Sequence, residues 1–435
     1  MTKFERPGDL SRLQPSESIE IEKPLRIALL GYRSAPHVGG QGIYVHYLSK
    51  SLVDLGHKVD VISGPPYPEL DPRVNLIKLP SLDLFAAKHH HFWSLRPRHL
   101  LSYTDFFEWW SMLTGGFAEP YTFSRRAHKY LRAHQDDYDI VHDNQCLGYG
   151  LLDIQALGLP VVVTIHHPIT RDLTLALKSA KRWYHKLLIK RWHSFIGMQK
   201  KVVKQLKHLV TVSQVSRTDI ADAFDCSESS IDIVHCGTDT SLFAPRSGVA
   251  RKRNLLMTTA SADQPLKGLR FLLKAVASLK NEFPDIELLV IGKLKESGPT
   301  EKLIRRLGIG DCVRFESGIS TERLIENYAR ASVAVSPSLY EGFGLPAAEA
   351  MSCAVPLVSS DGGALPEVVG DAGLIVKAGD SDALAEAIKR LLSNAVLREE
   401  LGAKGRARIV ERFSWAEAAR QLSELYHRVL AYEDH

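Results

Sequence analysis

Short apolar runs alternate with helical periods along most of this chain, and no other feature restricts its fold more. "PLRIALLGY" (Pro24–Tyr32) is a short apolar run ending in Gly and reads as a buried strand. In the following "GGQGIYVHYLSKSLVDLGHKVDVIS", Ile43, Tyr47, Leu48 and Leu52 recur at helical spacing. Gly56 ends that helix and "HKVDVIS" is the next strand. "DIVHDN", "PVVVTIHH" and "HLVTVS" continue the scheme. A polar, basic linker, "TSLFAPRSGVARKRN" (Thr240–Asn254), interrupts it. It restarts with the strands "LLMTTA", "IELLVIGK", "CVRFES", "SVAVSPS", "VPLVSS" and "AGLIVK" and helices between them. Strands alternating with helices predict parallel sheets covered on both faces, here twice, so the fold class is α/β. "GDSDALAEAIKRLLSN" and "SWAEAARQLSELYHRVLAY" are late helices; Ser414 and Glu417 form a capping box at the start of the second.

The 435-residue length suits two or three domains, and 45% hydrophobic with 24% charged residues is ordinary globular composition. No apolar run reaches the length of a membrane span. The opening "MTKFERPGDLSRLQPSESIEIEKP" has no apolar core of the secretory type. Cys146, Cys226, Cys236, Cys312 and Cys353 are scattered and form no CxxC, as expected of reduced thiols in a cytoplasmic protein. The net charge of +5 is uneven: between Asp172 and Asp219 lie eleven Lys or Arg and no acid. Such a segment suits an anionic partner surface.

In open parallel sheets, ligands bind at the carboxyl ends of the strands. Two strand-end turns are glycine-rich. One holds Gly39 and Gly40 after the first strand, without the spacing of a dinucleotide fingerprint. The other, "EGFGLPAAE", runs from Glu341 through Gly342, Phe343, Gly344 and Leu345 to Glu349. Pro346 suits a first helical turn, which sets Glu349 near a helix N-terminus.

"EGFGLPAAEAMSCAVPLVSSDGGALPEVV" resembles the E-x7-E region of retaining glycosyltransferases of family GT4, and the rest agrees in order. "GGQGIYVHYLSKSLVDLGHKVDVI" is similar to the family's N-terminal glycine loop and helix, nearest the sucrose-phosphate synthase and mycothiol glycosyltransferase branch. "DIVHDN", "VVVTIHH", "HLVTVS", "IDIVHCGTDTSLFAP", "PLKGLRFLLKAV" and "GDSDALAEAIKRLL" each have a counterpart, so the resemblance covers roughly residues 24–430. It implies a GT-B fold, two Rossmann-like domains facing across a cleft. The expected division is a polar extension (1–23), an acceptor domain (24–246), a donor-binding domain (247–410) and a last helix (411–432) crossing back to the first domain.

The resemblance also implies site roles. Lys267 of "PLKG" contacts the donor diphosphate, and the turn at Gly39 and Gly40 approaches the same phosphates. Glu341 lies near the donor sugar, the amides of Gly342 to Leu345 bind its hydroxyls, and Glu349 accepts hydrogen bonds from the ribose. His166, after a strand of the first domain, lies near the reactive sugar. No enzyme nucleophile is implied; the route is front-side displacement, with the leaving phosphate taking the acceptor proton. The chain departs from the family at Ala262, five positions before Lys267, where an arginine is usual; Arg270 and Lys293 are candidate substitutes.

Asp137-Tyr138-Asp139 is a formal DxD but precedes a strand in a two-Rossmann pattern, and His89-His90-His91 reads as a surface loop, so no metal or other cofactor is expected. The basic stretch Leu177–His208 interleaves Lys181, Arg182, Lys186, Lys190 and Arg191 with Trp183 and Trp192, and "FFEWWSMLTGGF" adds aromatics in the same domain. Such a helix suits either an anionic membrane surface or a solvated face. No nucleic-acid module is present. The expected partners are a nucleotide diphosphate sugar and an acceptor, either a lipid or lipid-linked glycan at the cytoplasmic membrane face, or a soluble sugar phosphate or cyclitol. A nucleotide-sugar 2-epimerase and a non-catalytic glycan- or membrane-binding protein are the other classes compatible with such a fold.

Overall fold

The computed structural model describes residues 23–35, 40–84, 97–180, 182–260 and 262–433. The polar extension up to residue 22, Gly39, the triple histidine and Lys181 lie outside the described residues. The first sheet contains β1 (Arg26–Gly31), β2 (Lys58–Ser63), β3 (Asn75–Lys78), β4 (Ile140–Asn144), β5 (Val161–Ile165), β6 (His208–Thr211) and β7 (Ile231–Ile233). The second contains β8 (Leu255–Thr259), β9 (Glu287–Ile291), β10 (Val313–Glu316), β11 (Val333–Ser336), β12 (Leu357–Ser360) and β13 (Leu374–Val376). Every pairing in both is parallel.

Helices cover both faces, so the central strands are covered on both sides: every residue of β4 and β5 is buried, His142, Asp143 and Asn144 included. The orders are β3-β2-β1-β4-β5-β6-β7 and β10-β9-β8-β11-β12-β13. Each sheet therefore reverses direction once, between β1 and β4 and between β8 and β11, and opens a crevice at those carboxyl ends.

The helix Trp415–Glu433 packs on the first helix, Gly40–Asp54. Leu422, Tyr426 and Val429 share one buried cluster with Leu48 and Leu52, and the cluster continues to Phe343 and Phe413. Polar contacts fix the docking: Ser423 Oγ lies 2.8 Å from His57 Nε2, and Lys207 Nζ lies 2.8 Å from Glu433. At the start of the helix, Glu417 donates its backbone N–H to Ser414 Oγ at 3.2 Å.

The basic stretch is not one helix, contrary to the sequence reading. It breaks into Thr170–Ser179, Trp183–Trp192 and Ile196–Val203, with Arg182 in extended backbone and a 3-10 turn at His193–Phe195. The turn buries Phe195 against Phe117 at a ring separation of 5.4 Å, a contact that a straight helix of solvated residues would not need.

Candidate functional site

The loop leaving β11 enters the helix Leu345–Ser352 through Gly344, whose φ of +102° is open to glycine at low cost. Pro346 occupies the first helical turn. Phe343 turns its ring inward against Phe413 at 5.8 Å, which leaves its backbone for the cleft. Lys267 comes from a 3-10 turn, Pro265–Lys267, stopped by Gly268 at φ +65°. A Cβ on Gly268 would lie 1.8 Å from Pro337 O, so this turn sits directly on the end of β11. That proximity brings Lys267 Nζ to 2.8 Å from Glu341 Oε1, which also accepts from Ser338 Oγ at 2.7 Å.

Glu349, one turn into the helix, accepts from Tyr328 OH at 3.2 Å. Burial pushes its carboxyl up to about 7, against the opposing hydrogen bond of Tyr328. A hydroxyl-rich ligand entering here would meet an acid near its titration point.

The first sheet contributes His166 from the end of β5. Asn144 Nδ2 donates to Gln41 O at 3.3 Å, so its Oδ1 accepts from His166 Nε2 at 2.7 Å, and Nδ1 is left as the unprotonated nitrogen. Gln145 Oε1 accepts the backbone N–H of His166 at 2.8 Å. Tyr44 stands edge-on to the imidazole at 4.7 Å and to Trp415 at 5.5 Å, which links the ring to the last helix. Burial, with His167 and His142 nearby, lowers the His166 pKa to about 3, so the ring is neutral at physiological pH.

The two strand-end loops meet at Gly342. Its carbonyl accepts from Ser213 Oγ at 2.8 Å and from Ser216 Oγ at 3.2 Å, and Ser216 Oγ lies 3.1 Å from His166 O. A Cβ on Gly342 would stand 3.1 Å from that same His166 carbonyl. The Lys267–Glu341 pair thus stands next to the point where Gly342 meets the His166 backbone, with Glu349 in the helix that follows the loop. Asn144, Gln145, Ser213, Ser216, Ser338 and Tyr328, which hold them, are not singled out by the sequence, because the partners of all but Ser338 lie on other elements.

Gly40 opens the first helix with nothing near the position of a Cβ, whereas Gly42 packs against the preceding loop, 1.9 Å from Ala35 O by the same construction. Ala262 is partly buried and packs against the core of the second sheet. Arg270 lays its guanidinium over Phe271 at 4.5 Å, and Lys293 is exposed. Asp139 of the DxD is paired with Arg26 at 2.6 Å, at the amino-terminal edge of the first sheet and away from the cleft. Arg182, Trp183, Lys186 and Lys190 are exposed, while Arg191 and Trp192 pack beside the turn after the helix Tyr103–Leu113.

Comparison with known proteins agrees with this architecture. Residues 38–242 match the family described as Glycosyltransferase Family 4, and residues 243–408 match Glycosyl transferases group 1. The chain is 49% identical over 411 residues to the MMP alpha-(1->4)-mannosyltransferase of Mycolicibacterium hassiacum, covering 94% of this chain and 99% of that protein. It is 27% identical to the D-inositol 3-phosphate glycosyltransferase of a Nocardioides species, over 98% of this chain and 95% of the other. Among solved structures, sucrose-phosphate synthase from Thermosynechococcus elongatus superposes with a TM-score of 0.71 at 24% identity, over 94% of this chain and 100% of that one, a likeness of fold. The protein is a glycosyltransferase with the GT-B fold and belongs to glycosyltransferase family 4.

Proposed function

We propose that the protein transfers a mannosyl group from a nucleoside diphosphate mannose to a ring hydroxyl of a sugar acceptor, with retention and without a metal. The observation that carries the sugar assignment is the 49% identity, over nearly the whole of both chains, to a protein named as an α-(1→4)-mannosyltransferase. An α-linked donor giving an α-linked product is net retention, and a (1→4) linkage requires a 4-hydroxyl on the acceptor ring.

The geometry supports roles for this chain's residues. The anomeric carbon–oxygen bond to the diphosphate breaks and its electron pair leaves with the phosphate. The acceptor oxygen bonds to the same face of the carbon, and its proton passes to the departing phosphate oxygen. Lys267 supplies positive charge to that leaving group. Glu341, held by Lys267 and Ser338, faces the donor sugar. The amides around Gly342, Phe343, Gly344 and Leu345 bind sugar hydroxyls, and Glu349 receives the ribose. His166, neutral and oriented by Asn144, presents an unprotonated Nδ1 and its backbone near the reacting sugar.

A panel of nucleoside diphosphate sugars, each with and without an α-mannoside acceptor, tests the reading through nucleoside diphosphate release. The mannose donor should be preferred, release should depend on acceptor, and the product's anomeric proton–carbon coupling should be that of an α-mannoside. A β-linked product, or acceptor-independent formation of an epimer, would overturn it. A lipid-linked acceptor is the second reading, favoured by the exposed basic and aromatic face of the first domain. A mannosylated lipid extended in preference to the free mannoside would establish it.

A further inference from the structure

The helix Trp183–Trp192 has no buried residue. Trp183 is 77% exposed, Leu187 60% and Leu188 54%. Helices shorter than about 12–15 residues are marginal in water unless tertiary packing covers an apolar face. Among the described residues nothing covers that face.

It continues onto a second helix. Leu188 reaches the turn after Tyr103–Leu113, its Cδ2 3.6 Å from where a Cβ on Gly115 would stand. Arg191 donates to Thr114 Oγ1 at 2.9 Å and lies over Trp110 at 5.8 Å. Trp110 and Leu113 are themselves exposed. Trp192 stacks on Phe117 at 5.2 Å, and Phe117 meets Tyr32, just after β1, at 6.5 Å. The apolar face is therefore linked through Phe117 to the carboxyl end of β1.

Its charge has one sign. Arg182, Lys186 and Lys190 are exposed, and no acid occurs between Asp172 and Asp219. The neighbouring acids Asp105 and Glu108 are both engaged by Arg126 at 2.6 Å. A second copy of this chain docked through a two-fold axis would set these cations against themselves, which disfavours an isologous dimer. Among the described residues no helix is long and apolar enough to cross a membrane. We propose that this face docks the protein peripherally on an anionic lipid bilayer, with Trp183, Leu187 and Leu188 in the interface and the cations at the headgroups. The proposal stands apart from the identity of donor and acceptor.

Flotation with vesicles of phosphatidylcholine, and with vesicles half phosphatidylglycerol, tests it. The protein should float with the anionic vesicles at low salt and be released at about 1 M salt, where the screening length is about 3 Å. Each cation near such a leaflet strengthens partitioning roughly fivefold. Arg182→Gln, Lys186→Gln and Lys190→Gln together should therefore weaken it about a hundredfold. Leu187→Ser with Leu188→Ser should also lower it, while unchanged nucleoside diphosphate binding reports an intact fold. Absence of flotation with both vesicles would overturn the proposal, as would equal binding to both. So would a concentration-dependent dimer dissolved by the Leu187 and Leu188 substitutions.

Discussion

Lys267 Nζ and Glu341 Oε1 lie 2.8 Å apart beside the carboxyl end of β11, each largely shielded from solvent. In the free protein the cation assigned to the leaving group is thus neutralised by the acid assigned to the sugar. A diphosphate must compete with that acid for Lys267. Glu341→Gln should therefore raise nucleoside diphosphate affinity by calorimetry while lowering kcat. Lys267→Ala should lower kcat/KM by about 10²–10³, the usual cost of removing a preorganised charge at a developing anion. Weaker nucleotide binding in Glu341→Gln would show that the pair acts as a unit.

Glu349 carries a proton up to about pH 7 in the free protein. Ribose hydroxyls donate to a carboxylate and so favour its ionised form. Binding of a nucleoside diphosphate sugar, which has no phosphate titrating near neutrality, should then release a proton at pH 6 and far less at pH 8. Calorimetry in buffers of different ionisation enthalpy measures this directly. Glu349→Gln should abolish the release and weaken binding.

Ser213 and Ser216 tie the Gly342 carbonyl to the first domain. Removing both hydroxyls costs about 1 kcal/mol per hydrogen bond. Ser213→Ala with Ser216→Ala should lower kcat/KM roughly 10–30-fold, from about 1.4 kcal/mol per tenfold. Nucleoside diphosphate affinity should stay within about twofold, because the ligand-facing groups of the second domain are untouched. A large loss of affinity would move these serines from positioning the loop to binding the donor.

Transfer should survive excess EDTA, since every charge assigned to the diphosphate comes from side chains and backbone. Loss of activity that manganese restores would contradict the metal-free reading.

His142 is buried between Thr164 and Tyr426, and burial lowers its pKa to about 3. The unfolded chain binds this proton below about pH 6.5 and the folded chain does not. Its contribution to stability is therefore complete above pH 6.5 and is lost as pH falls toward 3, by about 1.4 kcal/mol per pH unit. Against His142→Gln, the wild-type unfolding free energy should fall with that slope between pH 6 and 4. Parallel curves would mean that the ring is protonated in the native state.

The strands and the Glu341–Glu349 loop were legible in the sequence because they follow from local chemistry. An apolar run as short as that of β5 has no stable state except between two covering layers, and Pro346 behind two glycines enters a helix wherever it lies. The elements that complete the site are not local. Asn144 and Gln145 are two polar residues at the end of β4 until β5 pairs beside it and brings His166 within 2.8 Å. Ser213 caps a helix, accepting from the Ser216 backbone N–H, but the hydroxyls of both also reach Gly342, more than a hundred residues on. The basic stretch reads as one amphipathic helix because periodicity records only neighbours in the chain. Its break at Phe195 is decided by Phe117, which belongs to another element. Sequence alone determined most of the strands, though not the short edge strands β3 and β7, and it pointed to the Glu341–Glu349 loop as the candidate site. Tertiary structure decided which polar groups face one another, because a hydrogen bond or a ring contact between distant residues leaves no period in the chain.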